Sequence, residues 1–115
     1  MRIYLATPYS HPDPEVREAR FQLVNAVAAR LMREGHHVYS PISHTHPIAL
    51  AGDLPKGWDF WEAYDRTFID WAEEVHILLA EGWQESKGVQ AEMKIATDTA
   101  KPVRFIAPSS TGGKV

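Results

Sequence analysis

The sequence predicts an α/β domain in which a parallel sheet of four or five strands lies between two layers of helices. Four short segments are predicted to be strands, at 2–6, 37–40, 75–80 and 103–107, and the first is mostly apolar, as expected of a buried strand. A helical pattern lies between successive segments, and this alternation is typical of a parallel sheet covered on both faces. The length of 115 residues suits one domain over 1–108. Residues 109–115 are small and polar, and we expect a flexible tail.

The predicted helices have recognisable boundaries. Asp13 can cap the first helix, Pro14 suits its first turn and Gly35 ends it. Apolar residues recur along this helix at three- and four-residue spacing, which predicts a core-facing stripe of Val16, Ala19, Leu23, Ala26, Val27 and Leu31. The helical pattern returns at 58–73 and again at 86–100.

Three segments that follow predicted strands, 7–11, 41–57 and 81–87, are expected to form a binding site. The segment 41–57 is rich in proline and glycine, which predicts a long loop. The carboxyl ends of parallel strands meet at one edge of an open sheet, where ligands bind. The candidate substrate-binding residues on these segments are Thr7, Tyr9, Ser43, His44, Gly82 and Trp83.

Composition excludes several classes of function. Twelve Lys and Arg against fifteen Asp and Glu give a net charge of -3, and neither sign is clustered, so a dedicated nucleic-acid binder is not expected. The absence of Cys removes thiol nucleophiles and thiolate metal sites. The apolar runs are too short for a membrane span or a signal-peptide core, so a cytoplasmic location is expected.

The most informative segment for chemistry is the start of the last predicted helix. A helix start offers free N–H groups and a positive dipole end, to which Ser86 adds a hydroxyl and Lys87 a positive charge. Gly88 allows a ligand to approach the backbone. Glu92 lies on the same helical face, one turn further on, where it can act as a nucleophile or stabilise a developing cation. The alternative is that Ser86 only caps the helix and Glu92 is solvated.

Asp65 interrupts an otherwise apolar row at helical spacing, formed with Trp61, Phe68 and Ala72. A carboxylate on a core-facing row must find donors or point into a cavity, where burial can raise its pKa enough for acid catalysis. The alternative is a salt bridge with Arg66 at the edge of the helix.

His44 and His46 resemble metal ligands, but without a third placed ligand we expect no metal site, and a loop that contacts substrate is the better interpretation. Tyr4 and Tyr9 flank the end of the first strand, where a phenol can hold a carboxylate or stack on a base. Trp58, Trp61, Phe68 and Trp71 are interpreted as core or subunit-interface residues in preference to a stacking platform.

Several of these residues together resemble the nucleoside 2-deoxyribosyltransferase-like superfamily, and within it a branch of the DUF1937 type. The similarity is carried by Ile3-Tyr4-Leu5-Ala6, by Tyr64-Asp65 with Ile69, and by Ser86-x-Gly88-x-x-x-Glu92. It covers nearly the whole chain and implies a flavodoxin-like, or Rossmann-like, three-layer sandwich.

The resemblance implies roles for three residues. Glu92 would attack C1′ of a (deoxy)ribosyl group and displace the base, Asp65 would handle the base or its proton, and Tyr4 would orient the nucleophile. Members that act on nucleosides carry an acid at the position of Ser86, which binds the free 5′-hydroxyl. Serine at that position is similar to the nucleoside 5′-monophosphate N-glycosidases, since an acid would repel a phosphate.

The sequence therefore predicts an N-glycosidase or (deoxy)ribosyltransferase that acts on a nucleoside 5′-monophosphate or a related nucleotide. Cleavage of a larger ribosyl compound such as NAD is a second enzymatic option, and a non-catalytic nucleotide-binding module with the same fold is the alternative. Expected partners are a nucleotide or nucleoside and further copies of the chain, with no nucleic acid, membrane, metal or cofactor.

Overall fold

The protein forms a four-stranded parallel sheet with helices on both faces. A computed structural model describes residues 1–55 and 57–108. The strands are β1 (Arg2–Ala6), β2 (His37–Tyr39), β3 (Glu74–Leu78) and β4 (Val103–Ile106), in the order β2-β1-β3-β4. The helices are α1 (Pro14–Arg33), α2 (Pro41–Gly52), α3 (Trp58–Trp71) and α4 (Lys87–Asp98). The predicted α/β class is confirmed, and the sheet has four strands, the smaller of the two numbers predicted.

Alternate residues of the central strand β1 supply the two cores. Ile3 and Leu5 face α1 and pack with Val24, Val27 and Leu31. Tyr4 and Ala6 face the other side and pack with residues of α3 and α4, among them Ile69, Val89 and Ile95. This arrangement follows from the pleat of a strand, whose successive side chains point to opposite faces. The sheet therefore separates α1 from the pair formed by α3 and α4.

The prediction of a long loop over 41–57 is wrong, because its first twelve residues form α2. Ser40 caps this helix, with its Oγ accepting from the amide of Ser43 at 3.2 Å. Pro41 lies at the first helical position, where the missing N–H costs nothing. Pro47 lies inside the helix, and packing against α1, which includes a 2.5 Å bond from Ser43 Oγ to Asn25 Oδ1, offsets its effect. Asp53, in the left-handed conformation, ends the helix.

The other predicted elements are observed with the predicted type, and their bounds differ by at most two residues. The stripe predicted on α1 is wrong at Ala19 and Ala26, which are exposed, and Val24 and Ala28 are buried instead. The strand expected at 75–80 begins and ends earlier, and the helices expected at 58–73 and 86–100 are each shorter. The turn expected at 81–85 contains a short 3-10 helix, Trp83–Glu85, which follows Gly82 at φ 87°. No helix in the described part of the chain is both long enough and apolar enough to cross a membrane. The tail expected at 109–115 lies outside the described residues.

Candidate active site

A cleft of about 580 Å³ lies where the strands β1 and β3 end. In a parallel sheet, the loops that follow adjacent strands diverge when their helices cover opposite faces, and the crevice between them is the usual binding site. Here the chain after β1 leads to α1 on one face, and the chain after β3 leads to α4 on the other. The cleft is bounded by these two connections, by α2 and by the first half of α3.

Two carboxyl groups, Asp65 of α3 and Glu92 of α4, lie in the cleft and are nearly inaccessible to solvent. Asp65 is 6% exposed and Glu92 is 5% exposed. The hydroxyl of the fully buried Tyr4 donates a hydrogen bond to Glu92 Oε2. Asp65 Oδ1 has no hydrogen-bond partner among the described residues. The structure thus brings the three residues together from β1, α3 and α4.

The alternatives that placed these acids on the surface do not hold. Glu92 is buried and is not on the solvated side of its helix. Arg66 pairs with Glu62 at 2.9 Å, one turn before it on the same helix. Asp65 therefore makes no salt bridge to Arg66, and its carboxyl group is directed toward the cleft and the other acid.

Burial and mutual proximity change the protonation of the pair. Burial raises the pKa of Glu92 well above its ordinary value, and the nearby Asp65 raises it further, against a lowering by the Tyr4 hydrogen bond. Burial raises the pKa of Asp65 to about 6. Two close carboxyls do not readily carry two charges, so they retain one proton to higher pH than isolated acids do. Burial also raises the pKa of Tyr4, which keeps its hydroxyl protonated as a donor.

The start of α4 forms another side of the cleft and carries Ser86, Lys87 and Gly88. Ser86 caps the helix, since its Oγ accepts from the amide of Val89 at 3.2 Å and its carbonyl accepts from the amide of Gln90 at 3.0 Å. The amides of Lys87 and Gly88 have no partner within the described ranges. A Cβ at Gly88 would meet only Ser86 Oγ, at 4.0 Å. The protein's own packing therefore does not require glycine at this position.

The substrate-binding residues expected on the three segments divide into two groups. Thr7 and Tyr9 line the cleft. Ser43 and His44 lie outside it, because α2 is helical and directs other positions inward: Pro41, Ile42, Thr45, His46, Ala49 and Leu50. Ser43 binds Asn25 of α1, and the exposed His44 packs against Tyr39 with ring centroids 5.5 Å apart. The three- and four-residue spacing of these lining residues is the signal that the loop interpretation missed.

Gly82 and Trp83 also lie outside the cleft, and they shape the connection that leads to Ser86. The guanidinium of Arg20 donates to the carbonyls of Ser10, at 3.0 Å, and Glu81, at 3.1 Å, and so joins the connections after β1 and β3. A Cβ at Gly82 would lie 2.8 Å from Arg20 Nη2, and the φ of Gly82 is positive, so only glycine fits there without strain. Trp83 packs against Phe105 with centroids 5.5 Å apart.

Comparisons with known proteins agree with the sequence resemblance. The family model described as a domain of unknown function, DUF1937, matches residues 1–107. The chain belongs to the DUF1937 family. Its structure is similar to that of the 2-deoxyribosyltransferase from the psychrotolerant bacterium Bacillus psychrosaccharolyticus, which is described as a biocatalyst for the synthesis of antiviral and antitumoral nucleosides. The TM-score is 0.64, the sequences are 23% identical, and the match covers 100% of this chain and 77% of the other. That likeness establishes the shared fold.

No curated protein matches this DUF1937 chain in sequence.

The four aromatic residues interpreted as core or interface side chains of this DUF1937 protein have different positions. Trp58 and Trp61 line the cleft. Phe68 stacks on Tyr39 in the core, with centroids 3.9 Å apart. Trp71 is 38% exposed and lies at the far end of α3, where Arg2 is 6.0 Å from its ring centroid. The interpretation is therefore correct for Phe68 and incomplete for Trp58 and Trp61.

His46 takes part in an aromatic cluster. It is hydrogen-bonded to the Tyr9 hydroxyl, its ring lies 4.3 Å from that of Phe21, and its Nε2 is 3.5 Å from Glu18 Oε1. Within the described residues, no three His, Cys, Asp or Glu side chains are grouped closely enough to hold a metal ion. The histidine therefore connects α2 to α1 and to the connection after β1.

The buried acids give stability a defined dependence on pH. Because the folded pKa of Asp65 is about 6 and the usual value is near 4, the folded state binds more protons than the unfolded state between these pH values. The free energy of unfolding contributed by Asp65 is thus highest below about pH 4 and falls as the pH rises to about 6. Asp65→Asn cannot ionise and so does not lose stability as the pH rises. We expect its free energy of unfolding at pH 7 to exceed that of wild type by roughly 1–3 kcal/mol.

Urea unfolding at pH 4 and pH 7 measures this difference. Asp98→Asn is the matched control, because Asp98 is an exposed acid that pairs with Lys94 on the surface of α4. Asp98→Asn should leave the difference in the free energy of unfolding between pH 4 and pH 7 unchanged. A lower stability of Asp65→Asn than of wild type at pH 7 would contradict the assignment of an unfavourable buried charge.

Proposed function

We propose that this protein cleaves the bond between base and sugar of a nucleoside 5′-monophosphate, by hydrolysis or by (deoxy)ribosyl transfer, with Glu92 as the nucleophile. The observation that supports this most strongly is the position of Glu92. It is a buried carboxyl group at a cleft, held by Tyr4, beside a second carboxyl group, and about 6 Å along α4 from Gly88. The cytoplasm is the proposed location.

The proposed reaction has two steps. In the first, the Glu92 carboxylate attacks C1′, the C1′–N bond breaks and its electron pair leaves with the base. The two acids share one proton, and in the reactive form that proton is on Asp65, which donates it to the departing base. The developing oxocarbenium ion is stabilised by the Glu92 charge before the ester forms. In the second step, water or the nitrogen of another base attacks C1′, Asp65 takes the proton that the attacking group loses, and Glu92 leaves as a carboxylate.

Tyr4 has a positioning role in this scheme. Its hydroxyl donates to Glu92 Oε2 and fixes the orientation of the carboxyl group, which leaves Oε1 for C1′. The same hydrogen bond lowers the pKa of Glu92 and so favours the ionised nucleophile. Because burial and Asp65 act in the opposite direction, Tyr4 limits the amount of Glu92 that is protonated.

The start of α4 supports a 5′-phosphate over a free 5′-hydroxyl. The Ser86 hydroxyl proton, the amides of Lys87 and Gly88, and the positive end of the helix are all donors or positive charges. The exposed Lys87 adds a full charge at the same place. A phosphate dianion is the ligand that these groups complement best, and Gly88 leaves it room.

Release of free base from a panel of nucleoside 5′-monophosphates tests the proposed chemistry. We expect base release by wild type, no release by Glu92→Gln, and normal release by Glu81→Gln, a control that neutralises an exposed acid outside the cleft. Chromatography of the products, with and without an acceptor base, separates hydrolysis from transfer. Ligand-dependent thermal stabilisation without any product would favour the non-catalytic binding module instead.

Substitution of Ser86 tests the assignment of the 5′ group. Asp and Asn both cap helices well, so Ser86→Asp and Ser86→Asn should fold normally. Ser86→Asp places a negative charge beside the phosphate, and we expect the KM for monophosphates to rise at least about tenfold. The neutral Ser86→Asn should change it far less. An equal effect of the two variants would show that charge at this position does not select the 5′ group.

We also propose that the chain self-associates over the rim of the cleft. Ile48 and Leu50 of α2 and Phe60 and Tyr64 of α3 are 37–68% exposed, and they lie on the two helices that border the cleft. Such exposed apolar side chains favour a partner, and a second copy would exclude water from the reaction. Sedimentation should give a species larger than 13.0 kDa, and Ile48→Glu should dissociate it. A wild-type protein that sediments only as a monomer would contradict this.

A further inference from the structure

The side of the cleft formed by α3 carries two indole rings. Trp58, Trp61 and Asp65 are separated by three and four residues, so they share one face of α3, and all three line the cleft. The rise of an α-helix places Trp61 about 6 Å and Trp58 about 10 Å from Asp65 along the axis. Starting from the acid pair, this side of the cleft is therefore aromatic.

The sides of the cleft formed by α3 and α4 each carry one acid of the pair, but toward the helix starts they present different groups. A helix that connects two parallel strands runs in the opposite direction to them. Both α3, which leads into β3, and α4, which follows β3, therefore begin at the edge where the strands end. Both pack on the same face of the sheet, with Asp65 and Glu92 on adjoining sides. One turn nearer to the helix starts, α4 presents Gly88 and its free amides, whereas α3 presents Trp61.

The ring of Trp61 is fixed before any ligand binds. Its Nε1–H donates to the carbonyl of Pro55 at 2.8 Å. Phe60 and Tyr64 contact it edge-on, with centroids 4.9 Å and 5.6 Å away. The only polar atom of the indole is thus already paired, and what remains for a ligand is a flat aromatic surface held in place.

The neighbouring residues offer few groups that could recognise the edge of a base. Ala49, Leu50 and Leu54 are apolar, and the hydroxyl of Thr45 donates to the carbonyl of Pro41 at 2.6 Å. Among the described residues on this side, Asp53 and Asp65 supply the charged groups. A ring bound here is contacted mainly through its face.

Building on the proposed function, we propose that Trp61, with Trp58 beside it, is the subsite for the leaving group and determines base specificity. The substrates are then 5′-monophosphates of planar aromatic bases, which the protein holds by stacking. Affinity follows the stacked area of the ring, so purines bind more tightly than pyrimidines, and adenine and guanine bind alike despite their different edges. The start of α4, which binds the phosphate, selects nucleotides as the substrate class.

Calorimetric dissociation constants, measured in the Glu92→Gln background, test this subsite without turnover. The ligands are the adenine, guanine, cytosine and uracil nucleoside 5′-monophosphates, in the ribose and deoxyribose series, and the matching sugar 5-phosphates, which lack a base. Trp61→Leu should weaken binding of purine nucleotides about tenfold or more. Trp61→Phe should retain most of the affinity, and the sugar phosphates should bind all variants equally.

Trp71→Leu is the matched control, because Trp71 lies on the same helix but outside the cleft, and it should change nothing. The proposal is overturned if Trp61→Leu weakens sugar phosphates as much as nucleotides, if it leaves nucleotide binding unchanged, if no nucleotide binds, or if adenine and guanine nucleotides differ more than about a hundredfold. A failed base-release assay with this binding pattern intact would reject only the glycosidic function. Base release that Trp61→Leu does not alter would reject only the subsite.

Discussion

The hydrogen bond from Tyr4 to Glu92 joins the centre of the sheet to the helix layer, and the geometry of the cleft depends on it. Tyr4 can reach Glu92 only because β1 is an inner strand, paired on one side with β2 and on the other with β3, and because α4 packs on the face to which Tyr4 points. Asp65 is brought to the same point by α3. Three segments that are distant in the chain therefore meet at one carboxyl group.

Burial of two acids beside each other is unfavourable, and it persists because the surrounding structure stabilises the fold independently. On the α1 side, Ile3, Leu5 and Val27 are fully buried, and on the other side Ile69 and Val89 are. Oδ1 of Asp65, which has no hydrogen-bond partner among the described residues, lowers the stability of the folded state. A feature that lowers stability and lines a cleft is more easily explained by function than by folding.

The sequence predicted most of the fold because local signals and long-range packing agreed. β1 and β3 are short and mostly apolar. α1 and α4 carry the caps expected of them, Asp13 and Ser86, each with a side-chain bond to a helix amide. In α2 the local signals conflicted. Pro47 suggested a break, while Ser40 and Pro41 formed a regular helix start. Packing against α1 resolved the conflict in favour of the helix, and the positions expected for Ser43 and His44 changed with it.

The candidate site was predictable residue by residue but not as an arrangement. Asp65 was conspicuous as an acid in an apolar row, and Glu92 by its spacing from Gly88. No local pattern states that the two are neighbours, since that depends on how α3 and α4 pack together on the sheet. The tryptophans show the same limit. Trp61 and Trp71 have similar surroundings in the sequence, yet α3 starts at the cleft and ends beside Arg2, at the opposite edge of the sheet.

The distribution of charge in the cleft also orients the proposed substrate. A net charge of -3 and an acid pair in the cleft disfavour a phosphate everywhere except near local donors, which the start of α4 supplies. A phosphate at the start of α4 would place the sugar over Glu92, which lies one helical turn beyond Gly88, and the remaining direction leads along α3 to the indoles. The reversed orientation would bring the phosphate to Asp53 and Trp61. The carboxylate would repel it, and the apolar surface would remove its water without offering hydrogen bonds in return. In the proposed complex, electrostatics at one helix end would thus select which bond of the nucleotide meets the nucleophile.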